Sequence, residues 1–171
     1  MNRGVHPAFK SLHKRFPVDS YRLYNKLVRI LSAIGYWSPI FLEIEYLPQI
    51  VFPFLKIIPN DDLFVFELLM VLITQWMQVW FEAYPAEPQP IMTAIQDVLH
   101  REDPALLSHL SQCGFSPQAY AWPLLKSFFT ETFDKDEWQK FIDHLFVNAD
   151  SPEYLLYFLA SFLLTSRGSL L

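Results

Sequence analysis

The sequence predicts an all-α domain of about eight helices. Three observations carry this: apolar residues recur at helical spacing, several runs open on helix-capping residues, and the connections are short and polar or contain proline. No stretch sustains period-two alternation, so strands have no support. The 171 residues are 52% hydrophobic, 17% aromatic and 18% charged, which excludes a disordered chain and supplies one domain with a sizeable core.

Between Asp19 and Gly35, Leu23, Leu27, Ile30, Leu31 and Ile34 follow the i, i+4, i+7, i+8, i+11 series of an amphipathic helix. Asp19 or Ser20 caps it, and Gly35 is expected to end it. Asn60-Asp61-Asp62, ahead of Leu63, places carboxylates at the positive end of another helix, which runs toward Tyr84-Pro85. Ile91, Ala94, Ile95, Val98 and Leu99 form a further stripe. Ser116-Pro117 and Ser151-Pro152 each join an N-cap residue to a proline at the first helical position. Asp134 with Glu137 is a capping box before Trp138, Phe141, Ile142 and Leu145.

The run from Leu63 to Phe81 is long enough to span a bilayer, where a transmembrane helix needs about 20 residues. Its polar groups argue against that. Glu67, Thr74 and Gln78 make one narrow stripe with Gln75 beside it, and a mid-helix glutamate is costly in hydrocarbon but tolerable on a central helix whose stripe reaches solvent. Tyr154 to Leu164 is too short to span. A membrane-associated helical protein is therefore a distant alternative, and no integral membrane insertion is expected.

The net charge of −5 conceals an asymmetry. Up to residue 29 the chain carries Arg3, Lys10, Lys14, Arg15, Arg22, Lys26 and Arg29 against Asp19 alone, whereas the rest holds six basic and seventeen acidic residues. A basic end on an acidic body suits an acidic or phosphate-bearing partner, or else a solvated helix face, and makes nucleic acid a poor partner. One cysteine, Cys113, excludes an internal disulfide and favours a reducing, cytoplasmic setting.

Signatures of an enzyme with its own chemistry are absent: there is no Gly-rich phosphate loop, no GxSxG elbow and no HExxH. His109 and Cys113 stand one helical turn apart with His100 not far away, but zinc takes three or four ligands, so no metal and no cofactor are expected. Trp76 and Trp80 read as core packing rather than a base-stacking platform.

Ala-Trp-Pro-Leu-Leu-Lys-Ser-Phe-Phe-Thr-Glu-Thr-Phe at 121–133, followed by Trp138 to Phe146, resembles the C-terminal lobe of a TBC domain. In that family a W-x-L-x-x-F helix precedes a W-D-x-x-F/L helix, and Ile142-Asp143 stands here at the W-D position. Leu27 to Ile34 is similar to the family's L-x-x-V-L-x-A-Y helix, and Glu45-Tyr46 falls where its Y-x-Q-G element begins. The ordered set covers about residues 9–165, so residues 1–171 are expected to form a single, two-lobed TBC-like domain. The phrases at 37–41, 46–48, 52–54 and 120–125 are similar to those of the family's WD-repeat-bearing branch at centriolar satellites. That resemblance implies a centrosome, cilium-base or vesicle-trafficking setting. It also implies that the family's more N-terminal helices, the WD repeats and a coiled coil lie outside a fragment such as this one.

The resemblance implies a Rab-type small GTPase as partner, with any GTP and magnesium belonging to that partner. TBC domains accelerate GTP hydrolysis with an arginine from I-x-x-D-x-x-R and a glutamine from Y-x-Q. Arginine neutralises charge on the transferring phosphoryl group, and glutamine orients the attacking water. Aligning Phe16-Pro17 on the family's R-T-F-P puts Lys14 at the arginine position and Ser11 at the aspartate position, with Arg15 one residue late. Pro48 takes the glutamine position and Gln49 follows one residue late. Lysine lacks the planar fork of arginine, and one residue around a helix is a rotation of about 100°. The expectation is a degenerate domain that binds without activating, Lys10, Arg22 and Tyr46 also facing the GTPase. The alternative is an active domain with Arg15 and Gln49 as shifted fingers.

Overall fold

The computed structural model describes residues 4–170; Arg3, part of the basic segment, lies outside the described residues. Among the described residues the structure is helical throughout, with eleven α-helices and three short 3₁₀ turns. Seven helices have nine residues or more: α1 (Tyr21–Trp37), α2 (Leu47–Ile57), α3 (Asp62–Trp76), α5 (Gln89–Glu102), α6 (Pro104–Gln112), α9 (Lys135–Val147) and α10 (Tyr154–Thr165). The others, α4 (Gln78–Ala83), α7 (Pro117–Tyr120), α8 (Trp122–Lys126) and α11 (Arg167–Leu170), are one or two turns long and raise the number above the expected eight. The chain divides into two compact units, Met1–Phe81 and Glu82–Leu171.

In the first unit α1 packs against α2, α3 and the 3₁₀ turn Pro39–Leu42. Ser20 is the cap, its Oγ accepting from the Leu23 amide at 3.4 Å, and Leu27, Ile30, Leu31 and Ile34 are buried as their spacing requires. Gly35 does not end α1, which continues to Trp37 and is capped by Ser38. Its role is close approach: a Cβ there would lie 2.3 Å from Leu42 Cδ2 and 3.5 Å from Phe9 Cε2.

The apolar run after Asp61 is not one helix to Tyr84. α3 stops at Trp76, and the chain restarts at Gln78 after Met77, whose φ of −109° and ψ of 0° leave the helical region. The break has a packing consequence. α3 buries Val65, Leu69, Leu72, Ile73 and Trp76, and the change of direction lets Met77, Trp80 and Phe81 turn inward as well. Glu67, Thr74, Gln75 and Gln78 are all exposed, so the polar stripe reaches solvent. Among the described residues no helix is long and apolar enough to cross a membrane.

In the second unit α5 packs against α6, α7 and α10. Asp134 and Glu137 form the expected capping box at the start of α9. α10 begins at Tyr154, later than Ser151-Pro152 suggests, because a turn in which the Tyr154 amide donates to the Ser151 carbonyl at 2.9 Å comes first. Asp103 caps α6 through the Leu106 amide (3.0 Å) and accepts Arg167 Nε at 2.7 Å; the amide bond and then the guanidinium hold its carboxyl below the ordinary range.

α8 ends with Phe128 and Phe129 both in the left-handed region, at φ 52° and 60°. Phe129 donates to the Leu124 carbonyl at 2.9 Å and Phe128 to that of Leu125 at 2.8 Å, a Schellman-type end built without glycine. Bulky residues at these angles are strained, so the surroundings must fix them. Both side chains are fully buried, Phe129 among Phe133, Phe141, Phe158 and Phe162, and Trp138 Nε1 donates to the Phe128 carbonyl at 2.9 Å. Trp138→Phe removes that donor and leaves a buried carbonyl, so chemical denaturation should show a loss of about 1–3 kcal/mol beyond the packing change. Unchanged stability would mean that the bond does not hold the turn.

Candidate GTPase-facing site

The site is built from two segments of the first unit: the basic segment ahead of α1 and the N-terminal turn of α2. The basic segment is not a free arm. Phe9 and Leu12 are buried, and the 3₁₀ turns Pro7–Phe9 and Leu12–Lys14 fold the backbone over them, with the Arg15 and Phe16 amides donating to the Leu12 carbonyl at 3.0 and 2.8 Å. Phe16 meets Phe52 edge-on, ring centres 5.5 Å apart, and His13 meets Tyr24 at 6.4 Å. Phe52 lies three residues beyond Gln49 on α2, so the turn carrying Lys14 and Arg15 is fastened to the helix that Pro48 and Gln49 begin.

Of the seven basic residues up to position 29, Arg3 lies outside the described residues, and the other six differ in their partners. Lys26 Nζ lies 2.8 Å from one Asp62 oxygen and Arg29 Nη2 2.9 Å from the other, while Lys26 also donates to the Pro59 carbonyl. These two fasten α1 to the start of α3, so Asp62 offsets charge that the sequence presented as available. Arg22 is exposed and donates to Asn60 Oδ1 at 3.3 Å. Lys10, Lys14 and Arg15 are exposed and form no ion pair with the described residues, leaving them as the open cationic face.

At α2 the two polar positions part company. Leu47 is the first helical residue and Pro48 the second, both buried; Gln49 is half-exposed. Proline suits the first turn, where no amide is needed, but its buried ring offers no amide to an incoming ligand. The Gln49 side chain forms no hydrogen bond with the described residues, and Pro53, four residues on, has no N–H to give the Gln49 carbonyl. Gln49 therefore keeps a half-exposed side-chain amide with hydrogen-bonding capacity to spare. Glu43 and Glu45, both exposed, stand just ahead of it.

Tyr46 was expected to face a partner, but it is 5% exposed, its ring stacked on Phe81 at 6.2 Å. As the cap residue of a helix whose next two positions are buried, it turns into the core with them. Lys10, Lys14 and Arg15 are thus exposed and Gln49 half-exposed on elements linked through Phe16 and Phe52, whereas Tyr46 and Pro48 are buried. Sequence reasoning missed Phe52 and Phe16, whose contact makes the link; the signal was the Phe16-Pro17 pair recurring as Phe52-Pro53.

Cys113 Sγ and His109 Nε2 are 3.6 Å apart at the exposed end of α6, and among the described residues no three His, Cys, Asp or Glu side chains are grouped to hold an ion.

Comparison with known proteins gives these residues a family. The profile of the Rab-GTPase-TBC domain matches residues 4–171. The chain is 40% identical over 171 residues to the human TBC1 domain family member 31, covering 100% of this chain and 16% of that protein. It is 39% identical to the Oryzias latipes protein of the same name over 170 residues, 99% of this chain and 16% of that one, and 39% identical to the mouse protein, of which it covers 17%. The chain thus spans about a sixth of the length of these relatives. No solved structure matches. A helical chain matched from residue 4 onward by this profile belongs to the Rab-GTPase-TBC domain family.

Proposed function

We propose that this domain binds a Rab-type small GTPase through Lys10, Lys14 and Arg15 and the open face of α2, without supplying finger chemistry, and so serves as an interaction scaffold. The carrying observation is the state of the two finger positions. Lys14 brings a single ammonium where the family uses a guanidinium, and Pro48 is buried and has no amide. Glu43 and Glu45 add negative charge beside Gln49, which disfavours the close approach of a triphosphate. The cations still suit an acidic protein surface. A cytoplasmic setting at the centrosome, centriolar satellites or cilium base, or in vesicle trafficking, rests on the family resemblance alone.

A second reading is favoured by one observation: Gln49 is half-exposed with an uncommitted amide, and Arg15 is exposed. On that reading the domain is an active GTPase-activating protein with shifted fingers.

Reversing Lys14 and Arg15 to Glu tests the binding surface. Stopped-flow measurements with a panel of GTP-analogue-loaded Rab proteins should show association slowed about tenfold at low salt, the difference shrinking as salt rises past 0.15 M, where the Debye length is about 8 Å. Unchanged association at low salt for every Rab that binds would place the interface elsewhere.

A further inference from the structure

Only two polar residues among the described ones, Ser32 and Ser127, are buried, and Ser32 lies within α1. Its Oγ donates to the Val28 carbonyl one turn back at 2.6 Å, as serines inside helices often do. The same oxygen accepts the His6 backbone N–H at 2.9 Å, across 26 residues of chain. The two bonds use the hydroxyl as both donor and acceptor, which alanine cannot do.

Around this bond the segment is held by shape. The His6 ring meets Tyr36 edge-on at 5.0 Å and Phe9 at 6.2 Å, and His6 Nδ1 accepts the Ala8 amide at 3.2 Å, which starts the turn Pro7–Phe9. Phe9 then packs beside Gly35, its Cε2 3.5 Å from where a Cβ would stand, on the same face of α1 as Ser32, three residues earlier. From Phe9 onward the backbone passes through Lys10, Lys14 and Arg15 to its second fastening at Phe16 and Phe52. The exposed cations are therefore held between two anchors, and the first contains a part-buried polar bond.

We infer that Ser32 is a positioning residue for the partner-binding face: its hydroxyl latches His6 to α1 and so presents Lys10, Lys14 and Arg15 as one ordered surface. The inference rests on the GTPase-binding reading for its consequence, but not for the latch itself. An ordered charged surface meets its partner without first losing conformational freedom, which favours association. Losing the latch should loosen residues 6–16, which Phe9, Leu12 and Phe16 still tether, while leaving α2 and α3 folded.

The test has a structural and a functional arm, both on the whole chain. In hydrogen exchange, Ser32→Ala should speed exchange at residues 8–16 by about tenfold, with α2 and α3 unchanged. His6→Pro deletes the donor without touching Ser32, at a position where φ is −66° and ψ 136°, angles that proline adopts freely. It should reproduce the Ser32→Ala pattern, whereas His6→Ala, which keeps the N–H, should show less exchange than His6→Pro. Equal exchange in His6→Pro and His6→Ala, or exchange raised evenly through the first unit in Ser32→Ala, would overturn the latch. In the functional arm, Ser32→Ala and His6→Pro should each slow association with a GTP-analogue-loaded Rab several-fold, measured against the Lys14→Glu/Arg15→Glu variant as the floor. A freed segment with unchanged association to a Rab that does bind would overturn the positioning role. If no Rab binds the natural chain, the GTPase reading fails while the exchange result still decides the latch.

Discussion

Leu69→Ala should lower the unfolding free energy by about 2–5 kcal/mol, the range for emptying a buried leucine site. Leu69 is 0% exposed at the centre of the α3 stripe that runs from Val65 through Leu72, Ile73 and Trp76, and α3 packs on both α1 and α2. Removing its branch loses transfer energy and leaves a void that the surrounding side chains can close only in part. Val71→Ala, on the same helix but 39% exposed, is the control and should change stability by no more than about 0.5 kcal/mol. Urea unfolding of both variants separates the positions. A loss at Leu69 no larger than at Val71 would make α3 peripheral and the arrangement of the first unit wrong.

Local signals in the sequence foretold much of the fold because their partners lie within about three turns. The Asp134 and Glu137 box, the Ser20 cap and the stripe from Leu27 to Ile34 all depend on neighbours three to eleven residues away, and all appear. Three features were illegible for physical reasons. The break at Met77 lies inside an apolar run, where periodicity carries no contrast to mark a change of direction. The left-handed pair Phe128 and Phe129 has no glycine to announce it, since tertiary packing rather than local preference holds those angles. Gly35 looked like a helix end because glycine commonly is one, whereas its role depends on Leu42 and Phe9 in three dimensions.

At the candidate site the same division holds. Lys10, Lys14 and Arg15 are exposed and Gln49 is half-exposed. The pairing of Lys26 and Arg29 with Asp62 was hidden by separations of more than thirty residues, and the burial of Tyr46 and Pro48 follows from how α2 docks rather than from its own sequence. Ser32 was invisible for a similar reason: a serine within an apolar stripe looks like a spacer until its partner, the His6 amide, is seen.

The most direct test of the central claim, that this domain holds a TBC scaffold without working fingers, is single-turnover GTP hydrolysis by a Rab panel with and without the domain. Acceleration should stay below about tenfold, against the 10³–10⁵ that a placed arginine finger contributes. Lys14→Arg restores the planar fork and should raise the rate more than Pro48→Gln, whose amide would enter the core beside Tyr46 and Leu47. The contradicting result is acceleration of about 10³ or more by the natural chain, abolished by Arg15→Ala or Gln49→Ala. Those two residues would then be the fingers.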